Sequence, residues 1–167
     1  MPDKILIVDD EPDILPLTKL ILERNRFQVV SVSDGEEALR KTEAEMPDLI
    51  LLDLVMPGKS GLEVCKILKG RPKTKHIPVV VLSALGRDVD RKLGAKARAD
   101  GHFTKPFTPE GLTTEVRKHL DHARAEKFSR RLGVEHGKLQ GKKILLEYDP
   151  STAYERLVRD FGGMCSS

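Results

Sequence analysis

Leu49-Ile50-Leu51-Leu52-Asp53 decides the fold: four apolar residues in a row, closed by a carboxylate. A strand with one wet face alternates apolar and polar residues. An unbroken apolar run belongs to a strand buried on both faces, the habit of parallel sheets covered by helices. The same texture recurs on either side. Ile5-Leu6-Ile7-Val8 runs into Asp9-Asp10, and Val79-Val80-Val81-Leu82 runs into Ser83. Weaker strands fit at Phe27–Ser31 and Ala99–Phe103.

Helical stretches lie between these runs. Asp34 with Glu37, and Ser60 with Glu63, each place a capping side chain three residues before a Glu. Thr108 precedes Pro109, a cap followed by a proline at the first helical position. The first helix carries Ile14, Leu17 and Ile21 on one face with Leu20 beside them, and Pro16 predicts a late start or a kink there. The order β-α-β-α-β-α-β-α-β-α fills residues 3–130. It predicts a doubly wound α/β domain with a five-stranded parallel sheet, helices on both faces and right-handed crossovers.

Composition agrees with a globular chain: 167 residues, 39% hydrophobic and 33% charged, with a formal net charge of +3. No run approaches the roughly 18 apolar residues of a membrane span, and the opening lacks the pattern of a secretory signal, so the expected location is the cytoplasm. Cys65 and Cys165 lie far apart and form no CxxC pair, so neither a disulfide framework nor a zinc site is indicated. Cys65 reads as a small apolar helix residue. His119, His122 and His136 show no metal spacing with Cys or with one another. Residues 1–60 carry 13 acids and 7 bases, and residues 61–167 carry 13 acids and 22 bases. The basic excess is densest from Arg117 to Lys143. Three acids interrupt it and Phe128 is its single aromatic, so it reads as the solvated face of a helix and a linker rather than a nucleic-acid footprint.

After Arg131 the texture changes. Gly133, Gly137 and Gly141 punctuate a polar stretch, so residues 131–142 read as a linker. Lys143–Glu147 then reads as a strand and Pro150–Asp160 as a helix. Residues 143–167 are too few for a core of their own, and are expected to open an output domain that the sequence truncates.

Chemistry gathers at the strand ends. Asp9 and Asp10 follow the first strand, Asp53 closes the third, Ser83 the fourth, and Lys105 follows the fifth. In an open parallel sheet, ligands bind at the carboxyl ends of the strands. Three carboxylates, a hydroxyl and a lysine in one crevice form a set that handles phosphoryl groups. A carboxylate can attack phosphorus to form an acyl phosphate. Clustered acids repel the incoming anion, and Mg²⁺, which takes oxygen ligands, answers that repulsion. Lys105 supplies a second cation and Ser83 a hydrogen bond.

The motifs IVDDEPD, LLDLVMPGKSGLE, VVVLSAL and DGHFTKPF, in this order, make residues 1–130 resemble the response-regulator receiver domain of two-component signalling. The resemblance implies a flavodoxin-like strand order 2-1-3-4-5. It implies Asp53 as phosphoacceptor. It implies Mg²⁺ held by Asp10, Asp53 and the Val55 carbonyl, with Asp9 assisting through water. Ser83 and His102 would be the switch pair, and Lys105–Pro106 a cis peptide. A histidine kinase or phosphotransfer protein would donate the phosphoryl group, and a downstream output domain or protein would read the change. The fourth and fifth helices would offer a homodimer surface. Two positions depart from the usual pattern: His102 replaces a Tyr or Phe, and Arg98 stands where a Gly is common.

The expected role is therefore a signalling switch, with intrinsic autophosphorylation and autodephosphorylation, rather than an enzyme. A haloacid-dehalogenase-type phosphatase would want DxD after the first strand, where this chain has DDE, and no GxxxxGK[ST] is present. A docking-only receiver would have lost Asp53 or Lys105. The receiver of a transcription regulator is a further alternative, although no helix-turn-helix pattern follows residue 131.

Overall fold

The computed structural model describes residues 2–84 and 87–133. Ten elements alternate: β1 (Lys4–Val8), α1 (Ile14–Arg24), β2 (Gln28–Val32), α2 (Gly35–Glu45), β3 (Leu49–Asp53), α3 (Gly61–Gly70), β4 (Val79–Ser83), α4 (Arg87–Lys96), β5 (Gly101–Thr104) and α5 (Pro109–Arg131). The chain divides into two compact units, Met1–His119 and Leu120–Ser167. The second is described only to residue 133, and is helical to Arg131. The strand expected at 143–147 and the helix expected at 150–160 lie outside the described residues. Among the described residues, no helix is long and apolar enough to cross a membrane.

All strand pairings are parallel, in the order β2-β1-β3-β4-β5, so the doubly wound, flavodoxin-like sheet is as expected. The three apolar runs form its centre, and every residue of β3 and β4 is buried. Alternate side chains point to opposite faces. Leu6, Val8, Ile50 and Leu52 join Ala38 and Leu39 of α2 and Val64, Cys65 and Leu68 of α3 in one core cluster. Ile5, Ile7, Leu49 and Leu51 face the other way, equally buried. Burying one such side chain stabilises the fold by about 1.5–3 kcal/mol. Cys65 is fully buried, its thiol donates to the Ala97 carbonyl at 3.3 Å, and burial pushes its pKa up to about 11.

The helix starts follow the side-chain chemistry. Asp34 accepts from the Glu37 N–H at 2.8 Å, Ser60 from Glu63 at 3.3 Å, and Thr108 from Gly111 at 3.0 Å. Helix α1 corrects the reading of its apolar face. It buries Thr18, Ile21 and Leu22, while Leu17 and Leu20 remain 49% and 46% exposed. Thr18 tolerates burial because its hydroxyl donates to the Ile14 carbonyl at 2.9 Å. Pro16 lies in the first turn, where its missing N–H has no intrahelical partner to lose. Strands β2 and β5 begin one and two residues later than the sequence pattern indicates.

Arg98 explains its own oddity. It has φ +61°, its N–H donates to Ala95 O at 3.2 Å, and the Ala99 N–H donates to Gly94 O at 2.9 Å. This paired pattern ends α4 with a left-handed residue, the place where Gly is favoured because it has no Cβ to clash. Arg26, at φ +67°, closes α1 the same way. Arg98→Gly and Arg26→Gly are each expected to raise stability by about 0.5–1 kcal/mol, read as an upward shift of the thermal midpoint. A fall in either midpoint would contradict this account of the helix ends.

Candidate phosphoryl-transfer site

Register builds the site. Val8 of β1 lies level with Leu52 of β3, so Asp9 and Asp53, one residue further along, leave the sheet side by side at its carboxyl edge. Asp53 is level with Leu82 of β4, and Ser83 with Thr104 of β5, which brings Ser83 and Lys105 to the same edge. The Leu54 N–H bonds Leu82 O at 3.0 Å and the Lys105 N–H bonds Ser83 O at 2.9 Å, extending the ladder past the strands. The Lys105–Pro106 peptide is cis.

Asp9, Asp53 and Ser83 are buried, and Asp10 is partly so. Asp9, Asp10 and Asp53 each offer an oxygen, and these oxygens lie within 4.8 Å of one another. Opposed ligands of an octahedral Mg²⁺ sit about 4.2 Å apart, so three hard carboxylate oxygens at this spacing suit that ion. Neither Asp9 nor Asp10 caps α1; the residue before that helix is Asp13, which makes no side-chain cap bond. Val55, in the loop after β3, exposes its side chain and donates its N–H to Asp53 Oδ1 at 3.1 Å.

Lys105 is the charge centre of the cluster, its side chain only 8% exposed. Its ammonium donates to Asp9 Oδ2 at 2.9 Å, Glu11 Oε1 at 2.9 Å and Asp53 Oδ2 at 3.3 Å. Burial alone would make Lys105 easier to deprotonate; the hydrogen bonds it donates to Glu11 and Asp9 and the charge of Asp53 overcome this and raise its pKa. Asp53 behaves oppositely. Burial pushes its carboxyl up from 3.8 to about 6 with help from the Asp9 charge, against the Val55 N–H and Lys105.

That shift has a sign. A carboxyl whose folded pKa lies above its unfolded value contributes stability that is present below the unfolded value and lost as pH rises through the folded one. Asp53→Asn is therefore expected to stabilise the metal-free protein by about 3 kcal/mol at pH 7. The gain should shrink to nothing by about pH 3. Chemical denaturation at the two pH values tests it, and an equal effect at both would refute the assignment to burial.

His102 stands apart from the acids. It pairs with Val81 in the sheet, two residues before the Ser83–Thr104 level, so it sits about 6.6 Å further down the strand. There it lines a cleft of about 680 Å³ with Phe103, Phe107, Glu115, Lys118 and His119. Two site residues escape a sequence reading. Glu11 completes the ring of acceptors around Lys105, and Gly61 packs against the backbone of Asp53. The acidic run Asp9-Asp10-Glu11 was the visible signal for the first, while nothing local marks the second.

Comparison with known proteins agrees with this geometry. Residues 5–117 match the response regulator receiver domain. The chain is 44% identical over 120 residues to the alkaline phosphatase synthesis transcriptional regulatory protein PhoP of Bacillus subtilis, covering 72% of this chain and 49% of that protein. It is 41% identical over 117 residues to the phosphate regulon transcriptional regulatory protein PhoB of Escherichia coli, covering 70% and 51%. The chain thus spans about half the length of these curated relatives. Among solved structures, the chemotaxis response regulator CheY4 of Vibrio cholerae superposes with a TM-score of 0.67 at 29% identity, covering 70% of this chain and 98% of that one. A CheY-like receiver domain protein from Methanospirillum hungatei gives 0.69 at 30% identity, covering 75% and 99%. With the family's domain matched over residues 5–117 and its five-stranded fold in place, this chain belongs to the response-regulator receiver family.

Proposed function

We propose that Asp53 accepts a phosphoryl group from a histidine kinase or phosphotransfer protein, and that the charge so added switches a partner-binding surface. The observation that carries this reading is the convergence of Asp9, Asp10, Asp53 and Lys105 at one sheet edge. An oxygen of the Asp53 carboxylate forms the new O–P bond as the donor's bond to phosphorus breaks, and the leaving group departs with that electron pair. Lys105 balances charge on the transferring oxygens, and Ser83, level with Thr104 at the same edge, donates a hydrogen bond to one of them in this reading. Asp10, Asp53 and the Val55 carbonyl, with Asp9 through water, would hold Mg²⁺. When bound, the ion neutralises charge developing on the equatorial oxygens.

The modification adds about 1.5–2 negative charges at a buried carboxylate, enough to bias Ser83 and His102 between two arrangements. Intact mass after incubation with acetyl phosphate tests the reading. A single phosphoryl adduct that requires Mg²⁺ and vanishes in Asp53→Asn is expected. No adduct on the folded wild type would indicate a docking receiver, and an adduct persisting in Asp53→Asn would move the acceptor elsewhere. The names of the curated relatives favour a second reading of the output, control of transcription. Phosphorylation-dependent binding to DNA by the full-length protein would support it.

A further inference from the structure

Resting on Asp53 as the acceptor, we infer that Glu11 is a positioning residue that acts through Lys105. In the unphosphorylated protein its carboxylate holds the lysine, and it is the partner Lys105 relinquishes when a phosphoryl group arrives.

An ammonium has three N–H donors. Here three carboxylates take them: Asp9 and Glu11 at 2.9 Å and Asp53 at 3.3 Å. The donors are spent, so Lys105 can serve a phosphoryl oxygen only by releasing a partner. The three are unequal. The side chains of Asp9 and Asp53 are 1% and 5% exposed, whereas that of Glu11 is 51% exposed. Water can take over the Glu11 carboxylate at small cost, but it cannot reach the buried pair so readily.

Glu11 is also held in place by its backbone. Its N–H donates to Asp9 Oδ1 at 2.9 Å, while Oδ2 of that same aspartate takes Lys105. Its carbonyl accepts the Leu15 N–H at 3.1 Å, anchoring it to the start of α1. One aspartate thus fixes both the lysine and the residue that shares it.

This contact belongs to the resting form and is absent from both the transition state and the phosphorylated form. Its removal should speed gain of the phosphoryl group and leave its loss unchanged. Three full-length proteins decide the matter: wild type, Glu11→Gln and Asp13→Asn. Asp13 is exposed and makes no side-chain cap bond, so its substitution removes the same unit charge two residues away. With acetyl phosphate and Mg²⁺, followed by intact mass, Glu11→Gln is expected to gain the adduct about two- to fivefold faster than wild type. After the donor is removed it should lose the adduct at the wild-type rate, with Asp13→Asn matching wild type in both phases. Without donor or metal, the Lys105 ammonium protons of the ¹⁵N-labelled protein should exchange with water faster in Glu11→Gln.

Equal acceleration by Asp13→Asn would reduce the effect to general charge repulsion and overturn the inference. So would unchanged rates, or an unchanged ammonium signal, in Glu11→Gln. A wild type that gains no adduct would overturn the reading of Asp53 itself. A labelled wild type with an indifferent Glu11→Gln would overturn the inference alone.

Discussion

Gly61→Ala is expected to cost about 3 kcal/mol, a fall of about 10 °C or more in the thermal midpoint. Gly61 opens α3, and its N–H donates to Leu54 O at 3.2 Å. A Cβ built there would lie 1.9 Å from the Asp53 carbonyl oxygen and 2.8 Å from Leu54 Cα. Those neighbours are backbone of the central strand and cannot rotate away, so the strand end and the helix start must part. The damage falls on the residue proposed to be phosphorylated. The variant should therefore also gain the acetyl-phosphate adduct more slowly, even where it remains folded. Gly70→Ala is the control, because a Cβ at that end of α3 meets nothing within 4 Å. It should leave the midpoint unchanged or slightly raised. Similar losses in both variants would mean that the tight approach at Gly61 is not the cause.

Replacing Lys105 with Met is the second large effect, and its size depends on pH. The ammonium is the shared partner of Asp9 and Asp53, both nearly inaccessible to water. Removing one member of a buried ion pair typically costs about 3–5 kcal/mol. Without the cation, the Asp53 pKa climbs further above the value of about 6 that it has with Lys105 present. A carboxyl raised in the fold destabilises it above the folded pKa and not below the unfolded one. The deficit should be largest near pH 8 and smaller near pH 4, where a protonated Asp53 no longer needs the lysine and only Asp9 still does. Saturating Mg²⁺ should stabilise Lys105→Met more than wild type, by restoring positive charge to the same carboxylates. Phosphorylation by acetyl phosphate should fall about 100-fold, the usual scale for losing one group that stabilises transition-state charge. Urea denaturation across this pH range, with and without Mg²⁺, measures the first effects and intact mass the last. A deficit independent of pH would show that lost packing, not unpaired charge, is responsible.

Much of the fold was legible because burial on both faces leaves a mark that needs no partner to be read. Leu49–Leu52 announces a central strand on its own, and once three such runs lie in parallel register, Asp9 and Asp53 must emerge together. The inner face of α1 was not legible, since Ile14, Leu17, Ile21 and Leu22 offer two overlapping stripes. Only contact with the sheet selects the one through Thr18 and Leu22. Glu11 was hidden for a different reason. An exposed acid in a loop reads as solvated, and the lysine that gives it meaning lies 94 residues away. Gly61 was hidden because a glycine beside a helix cap has many ordinary uses, and its closeness to Asp53 exists only in three dimensions.

Cys65 provides a clock for this molecule. Its thiol is sealed among α2, α3 and the sheet and bonded to Ala97, so a thiol reagent meets it only when that half of the domain opens. With Cys165 changed to Ser, labelling at low reagent excess would count those openings one molecule at a time. Comparing the count before and after phosphorylation would reveal whether the signal is carried by a tightened interior or by a loosened one.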